Sequence, residues 1–388
     1  CTYIYRLRIP IMHPPSPPCG GVPLRKSLLV WVVVQMHVQQ HLCVSNTPNM
    51  GIGGISGDQH YHDGVCAELL QIRHKNSQVG SPPLLVYNRV PKAGSTTMLT
   101  VIRELFRGRG ARNESIATVL NAPSHDYWMS NPFESGTEFT STWNRLGERA
   151  NVQSNDHKHV FVNHMYWTNF SAHGHRQPLA LQIMREPIAR ELSSYYFLMW
   201  GPRNVEKMLK ARANRIQLTG LSHAPDINEF MRYYVAEFGS KCDGGGWSKT
   251  QSPRTGALKP NMQTRMFCGF HDDCKHICSD KALIRAKRNL RHEYVLVGLL
   301  EHMNTSVELL EFVLPTWFTG ITQQYTTAIQ QHNESIEEVL GSVKFRKTKG
   351  EHEPPTQQTL QWMNAISRPD VDLYAYAVSL FEAKQNCL

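Results

Sequence analysis

The chain of 388 residues has no unbroken apolar run near the roughly 20 residues that cross a bilayer as a helix. It has no GxxxxGK[ST] loop, so the usual fingerprint of a nucleotide kinase or ATPase is absent. No paired C-x2-C knuckles occur, which argues against the common structural zinc modules. No internal repeat is visible, and neither a basic helix nor an aromatic RNA-binding motif is present, so nucleic acid is not the expected partner. Charge is sparse as well, at 19% of residues. Hydrophobic residues make up 41%, which is ordinary globular composition with enough apolar sequence for one sizeable core. Lys and Arg number 41 against 32 Asp and Glu, a formal charge of +9 that suits an anionic partner such as a phosphate or an acidic sugar. The 19 His would strengthen polyanion binding as pH falls toward 6.

The first 83 residues differ from the rest. Arg25 and Lys26 precede the apolar run Leu28 to Val34, the order of a signal peptide or signal anchor. The run is short and is interrupted by Gln35, His37, Gln39 and Gln40, so a buried strand is the competing reading. Residues 1–44 are therefore read as a cytoplasmic tail with an anchor, or as neither. Beginning at Cys1 rather than Met, the chain reads as an incomplete or processed product. Residues 45–83 are rich in Gly, Ser, Asn and Pro and are expected to form a flexible stem, with the folded domain running from 84 to 388. Sequons at Asn113, Asn169, Asn304 and Asn333 would carry glycans only in a secreted or lumenal protein. Nine Cys leave at least one thiol unpaired or paired to another chain.

From Leu84 the pattern alternates. Leu84 to Val90 is a short β-prone run, broken by Pro91 to Gly94 and followed by helical spacing at Met98, Val101, Ile102, Leu105 and Phe106, with Ser95 as a cap. His159 to Met165, Leu179 to Met184 and Tyr294 to Leu300 read as further strands. Pro187 opens a helix running to Trp200, and Val307 to Leu314 forms another that Pro315 ends. Residues 108–158 read as irregular. The alternation predicts an α/β domain with a central parallel sheet flanked by helices.

Four constellations carry chemistry. Lys92-Ala93-Gly94-Ser95-Thr96-Thr97 lies between a strand and a helix, where free N–H groups, a lysine charge and hydroxyls suit a phosphate. An ordinary βα turn with a capping Ser would look similar. Arg185 sits where a strand ends, with Ser193 two turns into the next helix; α/β sheets bind ligands at strand C-termini, but an Arg–Glu surface pair at a helix start is the plainer reading. His164 ends another strand at the same sheet edge and is a candidate base, since imidazole is matched to taking a hydroxyl proton near neutrality. Cys268, Cys274 and Cys278 interleave with His271 and His276; without C-x2-C knuckles a Cys268–Cys274 disulfide loop fits better than zinc, and no metal is expected.

VYNRVPKAGSTTM at 86–98, NHMYWTNFSAHG at 163–174, IMREPIARELSSYYFLMWG at 183–201, FCGFHDDC at 267–274 and YVLVGLLEHM at 294–303 occur in the content and order that resemble the uronyl and heparan sulfate 2-O-sulfotransferases, a family that includes Pipe-type proteins. The resemblance spans about residues 84–382 and implies a P-loop-like sulfotransferase fold. It implies transfer of sulfuryl from 3′-phosphoadenosine 5′-phosphosulfate (PAPS) to the 2-hydroxyl of a uronic acid in a glycosaminoglycan, without a metal. On this resemblance Lys92 to Thr97 hold the 5′-phosphosulfate, Arg185 and Ser193 the 3′-phosphate, and His164 is the base. Arg346 and Thr348 belong to a late donor-binding loop. Arg89, Lys207, Lys210 and Arg212 meet the acceptor. The resemblance further implies a type II Golgi membrane protein with a lumenal catalytic part, and a homotrimer. Val162 stands where heparan-type members carry a second His, while Gly94-Ser95 and Asn169-Phe170-Ser171 look more like the dermatan/chondroitin branch, so both acceptor classes stay open. A glycan-binding member of the same fold that performs no transfer is the alternative.

Overall fold

A computed structural model describes residues 57–77, 84–111, 117–121, 147–148, 158–200, 226–232, 235, 261–275, 278–334 and 354–388. The described residues belong to one compact unit that starts at Gly53. Its centre is a five-stranded parallel sheet of β1 (Leu84–Asn88), β2 (Ala117–Asn121), β3 (Lys158–Asn163), β4 (Leu179–Met184) and β5 (Leu296–Leu299), in the order β2-β3-β1-β4-β5. All residues of β1, β4 and β5 are buried, as strands covered on both faces require, and this is why they read as largely apolar runs. β1 lies in the middle. The chain fills the sheet on one side of it with β2 and β3 and then crosses to place β4 and β5 on the other, so the carboxyl end of β1 lies at a topological switch point.

Helix α2 (Ser95–Ala111) follows β1, and α3 (Pro187–Trp200) follows β4. Next come α4 (Met262–Cys268), α5 (Asp280–His292), α6 (Met303–Val313), α7 (Pro315–Phe318), α8 (Ile321–Glu334), α9 (Gln357–Ile366) and α10 (Arg368–Gln385). The main core joins both sheet faces to these helices through Ile102, Phe106, Leu181, Leu299, Leu310, Trp317, Phe318 and Phe381. Pro315, expected only to stop a helix, occupies the first turn of α7, where its missing N–H and fixed φ suit a helix start.

Two expectations need correction. Residues 45–83 are not simply a flexible stem, because α1 (Gly57–Ser77) forms within them. Val65 and Leu69, one helical turn apart, are buried, and Leu69 joins the main core. Cys66 is disulfide-bonded to Cys387 just beyond α10, and Arg73 stacks on the Phe312 ring at 4.3 Å. The folded part therefore begins ahead of Leu84. Second, β2 lies inside the stretch expected to be irregular; its single apolar run, Ala117 to Leu120, is too short for periodicity to reveal.

No helix among the described residues is long and apolar enough to cross a membrane. Residues 1–44, expected as tail and anchor, lie outside the described residues.

Candidate functional site

The loop from β1 to α2 is held in an unusual backbone conformation. Lys92 and Gly94 both have φ of +67°. That region suits Gly but costs a residue with a Cβ about 1–2 kcal/mol, so the surrounding structure must hold Lys92 there. The grip is visible in Ala93, which is fully buried with Val90, Tyr166, Met262 and Met266. Gly94 is required by its surroundings as well as its φ: a Cβ there would lie 2.5 Å from Leu300 Cδ1 and 3.2 Å from Met303 Cε. The space is thus taken by side chains following β5. Ser95 is buried, Thr96 exposed and Thr97 half-buried at the start of α2. The 17 residues of α2 place a full helix terminus behind this loop.

His164 comes to the loop through sheet register. Asn88 pairs with Asn163, and the Arg89 N–H continues the ladder to the Asn163 carbonyl at 2.8 Å. The next residue of β3 then bonds back, with His164 Nδ1 2.7 Å from the Arg89 carbonyl oxygen. A carbonyl only accepts, so Nδ1 carries the hydrogen and the neutral ring has its lone pair on Nε2. The His164 N–H donates to Asn163 Oδ1 at 2.8 Å. Arg89 is itself largely buried, and burial holds its guanidinium below the usual arginine range. Its Nε is buried with no hydrogen-bond partner among the described residues. A desolvated guanidinium with a donor to spare is chemically suited to an anionic group.

Arg185 reaches the same loop from β4. Its Nη1 donates to the Lys92 carbonyl at 3.1 Å. Burial pulls its pKa down, while Glu301 and Glu186 act in the opposite direction. Glu186 caps α3, its carboxylate accepting from the N–H groups of Ile188 at 3.0 Å and Ala189 at 2.6 Å. The Glu186 N–H donates to Glu301 Oε1 at 2.9 Å, and Tyr374 donates to Glu301 Oε2 at 2.7 Å. Glu186 thus caps the helix while its charge also acts on Arg185. Ser193 is half-buried in the second turn of α3.

Behind α3 lies a buried polar cluster that no motif announced. Arg190 and Glu191 form an ion pair at 3.3 Å with both side chains out of solvent, and Ser367 donates to Glu191 Oε1 at 2.9 Å. Burial pushes the Glu191 carboxyl up to about 7 despite the pull of Arg190, so here desolvation outweighs attraction. Asp370 accepts from the backbone N–H of Gln263 at 3.1 Å and of Thr264 at 2.6 Å. Gln263 in turn hydrogen-bonds both backbone groups of Arg185. Gln263, Glu301 and Asp370 come from three separate segments, and only the fold brings them together.

Cys268 and Cys274 are joined, with Cα atoms 5.7 Å apart, and Cys278 is also disulfide-bonded. His271 pairs with Asp273 at 3.0 Å, and no group of three or more metal-ligating side chains occurs among the described residues. Asn169 and Asn304 are exposed; Asn169 Oδ1 accepts from the Ala172 N–H at 3.1 Å. Asn333 falls in the last turn of α8. Lys207, Lys210, Arg212, Arg346, Thr348, Asn113 and Cys242 lie outside the described residues.

Sequence comparison agrees with this geometry. The model of the family described as "Sulfotransferase family" matches residues 81–377. The chain is 28% identical to uronyl 2-sulfotransferase of Mus musculus over 304 residues, 77% of this chain and 62% of that protein. It is 28% identical over 305 residues to heparan sulfate 2-O-sulfotransferase 1 of the same organism, covering 77% of this chain and 70% of the relative. With heparan sulfate 2-O-sulfotransferase hst-2 of Caenorhabditis elegans the identity is 25% over 311 residues, 78% and 79% of the two chains. The alignments thus span under two thirds of the first relative and somewhat more of the others. The family match takes in all five strands, the Lys92 loop, His164 and Arg185, and the chain belongs to the sulfotransferase family.

Proposed function

We propose that the chain transfers sulfuryl to the 2-hydroxyl of a uronic acid in a glycosaminoglycan. One observation carries the reading: two hydrogen bonds, His164 to the Arg89 carbonyl and Arg185 to the Lys92 carbonyl, tie three separate sequence motifs to one loop at the switch point. The donor set fits PAPS, since a lysine, a helix terminus with three hydroxyl residues and a partly buried arginine answer two phosphate-bearing ends. Bound there, PAPS supplies an activated sulfuryl group attached through a phosphate that can leave.

His164 would take the acceptor hydroxyl proton at Nε2, freeing that oxygen to attack. The Nδ1–H held on the Arg89 carbonyl keeps the ring in that tautomer and steadies the imidazolium that results. Lys92 and the N-terminal N–H groups of α2 hold the negative charge on the departing phosphate oxygen. Arg185 and Ser193 would hold the 3′-phosphate, with Arg346 and Thr348 as further donor-binding residues. Arg89, with Lys207, Lys210 and Arg212, holds carboxylates and sulfates of the acceptor. Either a dermatan/chondroitin or a heparan chain meets this chemistry. The disulfides and sequons suit an oxidising lumen, in keeping with a type II Golgi protein, and the family likeness adds a homotrimer, which sedimentation would test.

The test is to incubate the full chain with radiosulfate-labelled PAPS and desulfated heparan, dermatan or chondroitin, beside His164→Ala. Label is expected on the uronic 2-hydroxyl of one polymer, with turnover reduced at least about 100-fold in the variant and donor affinity retained. Equal turnover in the variant would remove His164 from the chemistry. Donor binding with no transfer to any of these polymers would point to a different acceptor, whereas neither transfer nor donor binding would favour a silent glycan binder.

A further inference from the structure

We propose that Gln263 is a positioning residue for donor-phosphate recognition: it touches no ligand but sets where the Arg185 guanidinium stands. The side-chain amide of Gln263 makes a closed pair of bonds with one peptide position. Its Oε1 accepts from the Arg185 N–H at 3.1 Å, and its Nε2 donates to the Arg185 carbonyl at 2.8 Å. A neighbouring strand would satisfy a residue in the same way. It is needed at this point because the ladder between β4 and β5 ends with the pair Met184 and Leu299, one residue before Arg185. Gln263 therefore extends the order of the sheet to the residue whose side chain then bonds the Lys92 carbonyl.

Gln263 is anchored on its far side. It is fully buried, and its backbone N–H donates to Asp370 Oδ2 at 3.1 Å. The Asp370 N–H donates to Asn261 Oδ1 at 3.1 Å, and Asn261 Nδ2 donates to the Ile366 carbonyl at 2.9 Å. Asn261 holds φ of +56°, which the left-handed region tolerates best for Gly and Asn. A continuous run of hydrogen bonds thus leads from the junction of α9 and α10 through Gln263 to Arg185 and on to the loop that carries Lys92. Holding an arginine ready spares the ordering cost on binding, so affinity for the group it contacts depends on the support behind it. This rests on the reading of Arg185 as a ligand of the 3′-phosphate.

The experiment measures, by calorimetry on the full chain, affinity for 3′-phosphoadenosine 5′-phosphate and for adenosine 5′-phosphate. Their ratio reports the 3′-phosphate contact alone. Gln263→Met, similar in size but without either bond, is expected to lower the ratio about tenfold, the scale of lost hydrogen bonding to a charge-bearing site. In an Arg185→Ala background the same substitution should leave the ratio unchanged. Gln263→Glu gives a readout that packing alone would not move. A protonated carboxyl has one donor and one acceptor, as the amide does, whereas a carboxylate only accepts and would face the Arg185 carbonyl. Its ratio should approach that of the wild type at low pH and fall as pH rises, with Gln263→Met low throughout. Should Gln263→Met fold poorly, the pH series on Gln263→Glu decides. Equal weakening of both nucleotides, or an unchanged ratio, would overturn the proposal while leaving the function intact. A wild type that does not favour the 3′-phosphorylated nucleotide would overturn both.

Discussion

At residue scale, the two left-handed positions of the donor loop separate strain that a side chain can bear from strain that it cannot. Lys92 carries a Cβ at φ +67° and is tolerated; Gly94, at the same φ, faces Leu300 and Met303 across a gap too small for a methyl group. Gly94→Ala should cost about 1–3 kcal/mol, read as a lower thermal midpoint together with weaker nucleotide binding. Gly108 supplies the control: it lies inside α2 with nothing within 4 Å of a built Cβ, so Gly108→Ala should stabilise by about 0.5–1 kcal/mol. A stable, fully binding Gly94→Ala protein would show that the loop relaxes freely. The chemistry of this loop was legible in the sequence because Lys, Gly and hydroxyls are contiguous. What crowds Gly94 was not, since Leu300 stands some two hundred residues away.

At the scale of elements, β1, β3, β4 and β5 were readable because strands inside a parallel sheet are predominantly apolar, and α3 because Pro187 marks its first turn. Helix α1 was hidden: only Val65, Leu69 and Asn76 of its described side chains are buried, so its sequence looks like polar linker. The burial of Arg190 and Glu191 was not legible, since nothing local announces that Ser367 and Asp370 cover them. That burial has a pH consequence. The folded Glu191 pKa, about 7, lies above the ordinary glutamate value of 4.5, so between those pH values the folded state binds more protons than the unfolded. The group's contribution to stability is fully present below the lower value and is lost as pH rises through the upper one. Glu191→Gln should therefore lose less stability than the wild type between pH 5 and 7.5, measured as urea midpoints on the order of this window. Parallel slopes for the two proteins would refute the assignment.

At the scale of the whole molecule, the Cys66–Cys387 link joins positions 321 residues apart and fastens α1 to the end of α10. Replacing both cysteines with Ala should cost about 2–5 kcal/mol, a fall in thermal midpoint of roughly 3–7 °C. An unchanged midpoint would mean that packing of Leu69 alone secures α1. The pairing was not legible, because nine cysteines admit many partnerships and spacing favours only the short Cys268–Cys274 loop.

That long link also orders events during synthesis. Cys66 leaves the ribosome some 321 residues before its partner, a wait on the order of half a minute at ordinary translation speed. Over that interval its thiol shares the chain with Cys1, Cys19, Cys43, Cys242, Cys268, Cys274 and Cys278, and closure of Cys268 on Cys274 removes two of these as wrong partners. A chain stopped short of residue 387 would leave Cys66 without the partner it has in the fold, and helix α1 without its covalent tie.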